Sequence, residues 1–187
     1  PYRSSYRIAS HINNIRNLSD LGIDLAPLHG DFIEGGVGAN IRLITHDSGQ
    51  GQVQVRLDLQ DVSLNAPGLG WSKQVGVAGL AEVDLDIDDN RLVDIPRFAL
   101  SAGDLRINGS ATYAEDGTGL DKVDISRISF NRTDLAGVVI PGHDGGWTVS
   151  FHGPSIDMGP MFEDLFKKGP DDDDGFGLKL SLSTKID

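Results

Sequence analysis

Two stretches of the chain alternate apolar and polar residues without interruption. In residues 53–59, Val53, Val55, Leu57 and Leu59 point one way while Gln54, Arg56 and Asp58 point the other. In residues 81–87, Ala81, Val83, Leu85 and Ile87 likewise oppose Glu82, Asp84 and Asp86. A period of two gives a strand one apolar and one wet face. No amphipathic helix of comparable quality accompanies these strands. Their apolar side is therefore covered either by another part of the same β structure or by an apolar ligand, and that choice sets the functional question.

The rest of the chain follows the same pattern. Tyr6, Ile8, Ser10 and Ile12 alternate, although Ile8, Ile12, Ile15 and Leu18 also fit a helical stripe. Laying residues 8–15 on residues 55–62 matches Ile8 with Val55, Ile12 with Leu59 and Ile15 with Val62, which favours a strand. Residues 95–105 (IPRFALSAGDL) and 125–135 (ISRISFNRTDL) agree at Ile, Arg, two apolar positions and a closing Asp-Leu, at a constant offset of 30 residues. Such self-similarity marks stacked supersecondary units. Further strands are expected over 37–45, 105–113, 147–151 and 176–182, with Gly35, Gly36 and Gly38 at the start of one of them. Asp88-Asp89-Asn90, Glu115-Asp116-Gly117 and His143-Asp144-Gly145-Gly146 read as hairpin turns. Only residues 160–168 (PMFEDLFKK) look helical, with Pro160 in the first turn, Met161 and Leu165 on one side and lysines at the end. Residues 169–175 read as an acidic connector. The fold class expected is mainly β and antiparallel, with 1–187 forming a single β module.

Composition narrows the partners. The chain has 187 residues, enough for one domain with a real core, and its 24 glycines and 8 prolines suit short strands joined by tight turns. A net charge of −12, from 16 basic against 28 acidic residues, argues against a nucleic-acid surface and against long-range attraction to anionic headgroups. The lack of cysteine excludes disulfides and thiolate metal sites, and leaves both cytoplasm and periplasm open. The chain starts at Pro1, shows no signal peptide and contains no run of about 20 apolar residues. We read it as a piece of a longer protein whose anchor or export signal lies elsewhere.

Candidate chemistry is thin. Asp171 to Asp174 lack the alternate ligands, central glycine and distal glutamate of a calcium loop. His11, His29, His46, His143 and His152 show no metal spacing, although His143 and His152 flank one hairpin. No Gly-x-Ser-x-Gly elbow occurs. Trp147 alternates with Val149 and Phe151 and suits a core position or a ligand contact; Trp71 follows the loop Pro67-Gly68-Leu69-Gly70 as a rim residue or as a plug at one end of the sheet. No catalytic residue, metal or cofactor is expected.

From Asp61 to Glu163 the chain resembles the AsmA-like proteins of Gram-negative bacteria, specifically the central region of the YhdP-type branch, which is akin to TamB. The resemblance rests on residues 64–75 (LNAPGLGWSKQV), 117–130 (GTGLDKVDISRISF) and above all 131–160 (NRTDLAGVVIPGHDGGWTVSFHGPSIDMGP). It implies a repeated antiparallel sheet curled into an open groove, a β-taco. It also implies a periplasmic parent protein held in the inner membrane by segments absent from this chain, and a non-enzymatic role in carrying phospholipid toward the outer membrane. The expected partners are phospholipid acyl chains and neighbouring repeats of the parent chain.

The expected groove lining is the apolar members of the strands: Val53, Val55, Leu57, Leu59, Val83, Leu85, Ile87, Phe98, Leu100, Ile107, Ile125, Phe130, Val149, Phe151, Leu178 and Leu180. Two other readings stand beside this one. One is a closed β-sandwich acting as a structural or protein-binding module; the other is carbohydrate recognition through Trp71 or Trp147.

Overall fold

The computed structural model describes residues 2–12, 33–66, 70–89, 91–114, 119–142, 147–157 and 159. The expected helix over 160–168, the connector 169–175, the strand 176–182 with Leu178 and Leu180, His29, and the turns at 115–117 and 143–146 lie outside these residues. Twelve strands are described: β1 (Tyr2–Ile12), β2 (Ile33–Gly35), β3 (Val37–His46), β4 (Gln50–Asp58), β5 (Val62–Ala66), β6 (Trp71–Lys73), β7 (Gly79–Asp88), β8 (Arg91–Ala102), β9 (Leu105–Tyr113), β10 (Leu120–Phe130), β11 (Thr133–Pro141) and β12 (Trp147–Ser155). Nine of them form one sheet in the order β1-β3-β4-β7-β8-β9-β10-β11-β12, and β2-β5-β6 form a second, small sheet. Every pairing is antiparallel. The large sheet is open, because β1 and β12 stand at its two ends rather than pairing with each other.

Tight hairpins make this meander possible. Between β7 and β8, β8 and β9, and β10 and β11 the chain turns through Asp89 (φ 47°), Gly103 (φ 59°) and Asn131 (φ 47°). Asp, Gly and Asn are the residues that enter the left-handed region at least cost, and a hairpin that matches the strand twist needs that region.

Bulges interrupt the ladder at corresponding places. The register of β8 against β9 shifts between Ile95 and Phe98, and that of β10 against β11 shifts between Ile125 and Ile128. These are the two copies of the 30-residue similarity, Ile-Pro-Arg-Phe and Ile-Ser-Arg-Ile, so the repeat marks equivalent bulges. Pro96 fits there because a bulge leaves one residue out of the hydrogen-bond ladder. Opposite the bulges stand Gly109 and Gly137. A Cβ at Gly109 would come within 2.5 Å of the Phe98 ring, and one at Gly137 would run into the ring of Phe151. The two rings lie over glycine backbone where no other residue would leave room.

The small sheet packs over one end of the large one, where β3, β7, β9 and β11 begin. Val37, Leu59 and Val62 form one buried cluster, with Ile12, Ile33, Leu57, Leu64, Ala81 and Leu100 against it. Trp71, Ala102, Leu105 and Phe130 form the other, flanked by Leu64, Ala66, Leu100, Ile107 and Ile128. Trp71 is thus the plug rather than a rim residue, at 7 % exposure. Two polar fastenings hold the small sheet down. The buried Lys73 ammonium donates to the carbonyls of Leu59 (2.7 Å), Val62 (2.5 Å) and Gln74 (3.3 Å). Asp104 accepts from the Trp71 indole N–H at 2.8 Å through Oδ1 and from the Asn131 backbone N–H at 3.0 Å through Oδ2.

Candidate functional site: the apolar face of the large sheet

Residues directly opposite on neighbouring strands project to the same side of a sheet. Followed strand by strand, the register gives one unbroken row across all nine strands: Ile8, Ile41, Val55, Val83, Phe98, Gly109, Ile125, Gly137 and Phe151. No member carries a polar side chain. With neighbouring strands about 4.8 Å apart, the row runs for about 38 Å. That exceeds the length of one acyl chain, which fills half of a hydrocarbon core about 30 Å thick.

Parallel rows flank it. Toward the small sheet run Ser10, Ala39, Leu57, Ala81, Leu100, Ile107, Ile128 and Leu135. Away from it run Tyr6, Leu43, Val53 and Leu85 and, beyond the bulge, Ile95, Ala111, Val123, Val139 and Val149.

Burial divides the expected lining residues by depth under the small sheet. Leu59 (3 % exposed) and Phe130 (7 %) correct the sequence reading: both are core, locked in the two buried clusters, and close one side of the face instead of lining it. Leu57, Leu100 and Ile107 form a shoulder, packed on those clusters yet only partly buried. Val53, Val55, Val83, Leu85, Ile87, Phe98, Ile125 and Phe151 lie on the part of the face beyond the small sheet and are half-buried, whereas Val149 there is buried. Among the described residues no strand or helix is layered over that part. Ile41, Leu43, Val123 and Val139 belong to the same surface and escaped the sequence reading. The register supplies them: each stands opposite an expected residue, or one strand further along its row.

The opposite face is wet and charge-paired. Arg56 reaches Glu82 at 3.4 Å, and Arg97 reaches Glu82 at 3.0 Å and Asp84 at 3.6 Å. Arg127 binds Asp134 through two bonds of 3.0 and 2.8 Å, and its guanidinium is held above the usual arginine range by that carboxylate. Asp157 is held below the usual carboxylate range, first by the hydrogen bond from Arg132 and then by the Gly159 N–H. Two further perturbed groups belong to the small-sheet fastenings. Burial lowers Lys73 against the raising effect of Asp61 and Asp58. The Asn131 N–H and the Trp71 indole lower Asp104.

Among the described residues no three His, Asp or Glu side chains converge as a metal site, and no helix is long and apolar enough to cross a membrane. What the arrangement offers chemically is a long apolar strip bounded on one side by a packed core and backed by a solvated face. Comparison of the chain with protein-family models, with curated proteins and with solved structures finds no match.

Proposed function

We propose that the chain is a non-enzymatic lipid-conduit module, which carries phospholipid acyl chains along the apolar face of its large sheet. It would do so as part of a longer periplasmic protein anchored in the inner membrane, and in the direction of the outer membrane. The observation that carries this reading is the unbroken row from Ile8 to Phe151, half-buried over most of its length and longer than a single acyl chain. Each methylene that leaves water contributes about 0.8 kcal/mol without requiring a polar contact. A strip of Val, Ile, Leu and Phe therefore holds chains at many equivalent positions, which suits passage better than one tight pocket. The resemblance to AsmA-like proteins, carried by residues 61–163, supports the same role.

A second reading, a closed structural or protein-binding sandwich, draws support from the small sheet, which does bury Leu59, Val62, Trp71 and Phe130 against the large one. One substitution separates the readings, with a second as its control. Leu57→Asp puts a charge on the shoulder of the core and should destabilise the fold under either. Leu85→Asp lies beyond the small sheet; a conduit should stay folded and lose its lipid, whereas a sandwich closed over Leu85 should unfold. The first measurement is detergent-free purification followed by native mass spectrometry and lipid extraction. Bound phospholipid in the parent and its loss in folded Leu85→Asp are the expected results. Absence of acyl chains from the parent, with no uptake of fluorescent phospholipid, would sink the conduit.

A further inference from the structure

Among the described residues β1 stands at one edge of the large sheet, with no strand on its outer side. It runs for eleven residues, Tyr2–Ile12, and contains neither proline nor lysine; its only register shift against β3 lies at its start, between Tyr2 and Ser4. Long edge strands without proline or an interior bulge are templates for strand addition. β12, at the other end, carries Gly153 and Pro154 and a register shift against β11.

Side chains on β1 indicate what is missing. On the apolar side Tyr6 and Ile8 continue the rows of Leu43 and Ile41, yet stand 58 % and 56 % exposed. On the wet side Arg7 lies directly opposite Arg42, a like-charge cross-strand pair that costs stability. Neither guanidinium has an ion pair among the described residues. Elsewhere the sheet resolves the same situation. Arg56 on β4 is met by Glu82 on β7, and Gln52 by Asp86 at 3.4 Å, while Val53 and Val55 continue into Leu85 and Val83. In β7 apolar residues alternate with acids, and they complete a strand that presents Arg.

We infer that the outer edge of β1, unpaired among the described residues, docks a β-strand supplied from outside these 187 residues in which apolar residues alternate with acidic ones, its apolar side chains extending the rows of Tyr6 and Ile8 and its carboxylates pairing with Arg7 and Arg42. This stands apart from the lipid reading, since it concerns the edge and the wet face and holds whether or not the apolar face carries acyl chains.

The test uses the 187-residue chain and two labelled nonapeptides. One copies residues 80–88 (LAEVDLDID); in the other, lysine replaces each acid. Fluorescence anisotropy at moderate salt should show the acidic peptide binding at least about tenfold more tightly than the basic one, and the Arg7→Glu/Arg42→Glu variant should reverse that order. The urea midpoint of the variant reports that it remains folded, and hydrogen exchange should show β1 amides gaining protection when the peptide binds. Equal affinity for both peptides, no binding of either, or β1 amides already protected in the peptide-free chain by self-association would each overturn the inference.

Discussion

Replacing Asp104 with alanine should loosen the small sheet, because this one carboxylate ties three separate turns and strands together. Trp71 is 7 % exposed, so loss of the 2.8 Å acceptor leaves its indole N–H in a nearly water-free place. Hydrogen bonds to charged groups contribute about 1.5 to 3 kcal/mol, and the lower figure applies because Asp104 itself is exposed. The bond from the Asn131 N–H is exposed too and adds about 0.5 kcal/mol. The sum is about 2 kcal/mol. With a urea slope of about 2 kcal/mol per molar, the midpoint should fall by about 1 M. Trp71 is its own reporter once Trp147, the second of the two tryptophans, is replaced by Phe. Its emission should shift to the red at lower urea in the variant.

Acid provides a second check on Asp104. Its pKa is lowered in the folded state, chiefly by the Asn131 N–H and then by the Trp71 indole, so the unfolded chain takes up the proton first as pH falls. The stabilisation is fully present above the unfolded value of about 3.9 and disappears as pH falls through the folded value. The gap between wild type and Asp104→Ala should therefore be complete at neutral pH and close below about pH 4. An unchanged midpoint at neutral pH, or a gap that does not close in acid, would refute this account of the latch.

Four other substitutions probe different parts of the structure. Gly137→Ala forces a Cβ into the Phe151 ring and the Ser150 backbone and should cost about 2 kcal/mol by urea denaturation, whereas alanine at Gly76, with open space around it, should cost less despite its positive φ. Lys73→Met keeps the volume but leaves the carbonyls of Leu59 and Val62 without their donor, and should cost about 2 kcal/mol at neutral pH. Because burial lowers the folded-state pKa of Lys73, the unfolded chain holds more protons between that value and 10.5, so wild type should gain on Lys73→Met as pH rises through this window in a pH-resolved stability series. Arg127→Ala removes a doubly bonded but exposed ion pair, and its urea midpoint should be indistinguishable from that of the unsubstituted chain.

The large sheet was legible because its strands are long and half-buried. Val53 to Leu59 and Ala81 to Ile87 alternate in the sequence because one face meets water, and the structure pairs these two stretches directly, Val53 with Leu85 and Val55 with Val83. The small sheet was not legible. Its strands β2, β5 and β6 have three, five and three residues, too few for a period to register, and β2 finds its partner across the chain, Ile33 opposite Leu64. Lys73 hid it further. A lysine ordinarily argues for solvent, and only three backbone carbonyls converging on one ammonium explain its 2 % exposure. The same gap in the sequence reading explains Leu59 and Phe130, whose alternation was visible while the layer that covers them was not.

The nine-strand row has a consequence for how such a protein changes length. Each strand contributes one residue to the row, and the bulged hairpin that recurs at an offset of 30 residues brings two strands with its own bulge and turn. Duplicating that unit would lengthen the apolar row by about 10 Å and leave every existing pairing except one untouched. Deleting it would shorten the row by the same step. Span is therefore a countable, inherited quantity in this architecture: it grows in increments of one hairpin, as a ladder grows by rungs, while the width of the strip stays fixed by strand length.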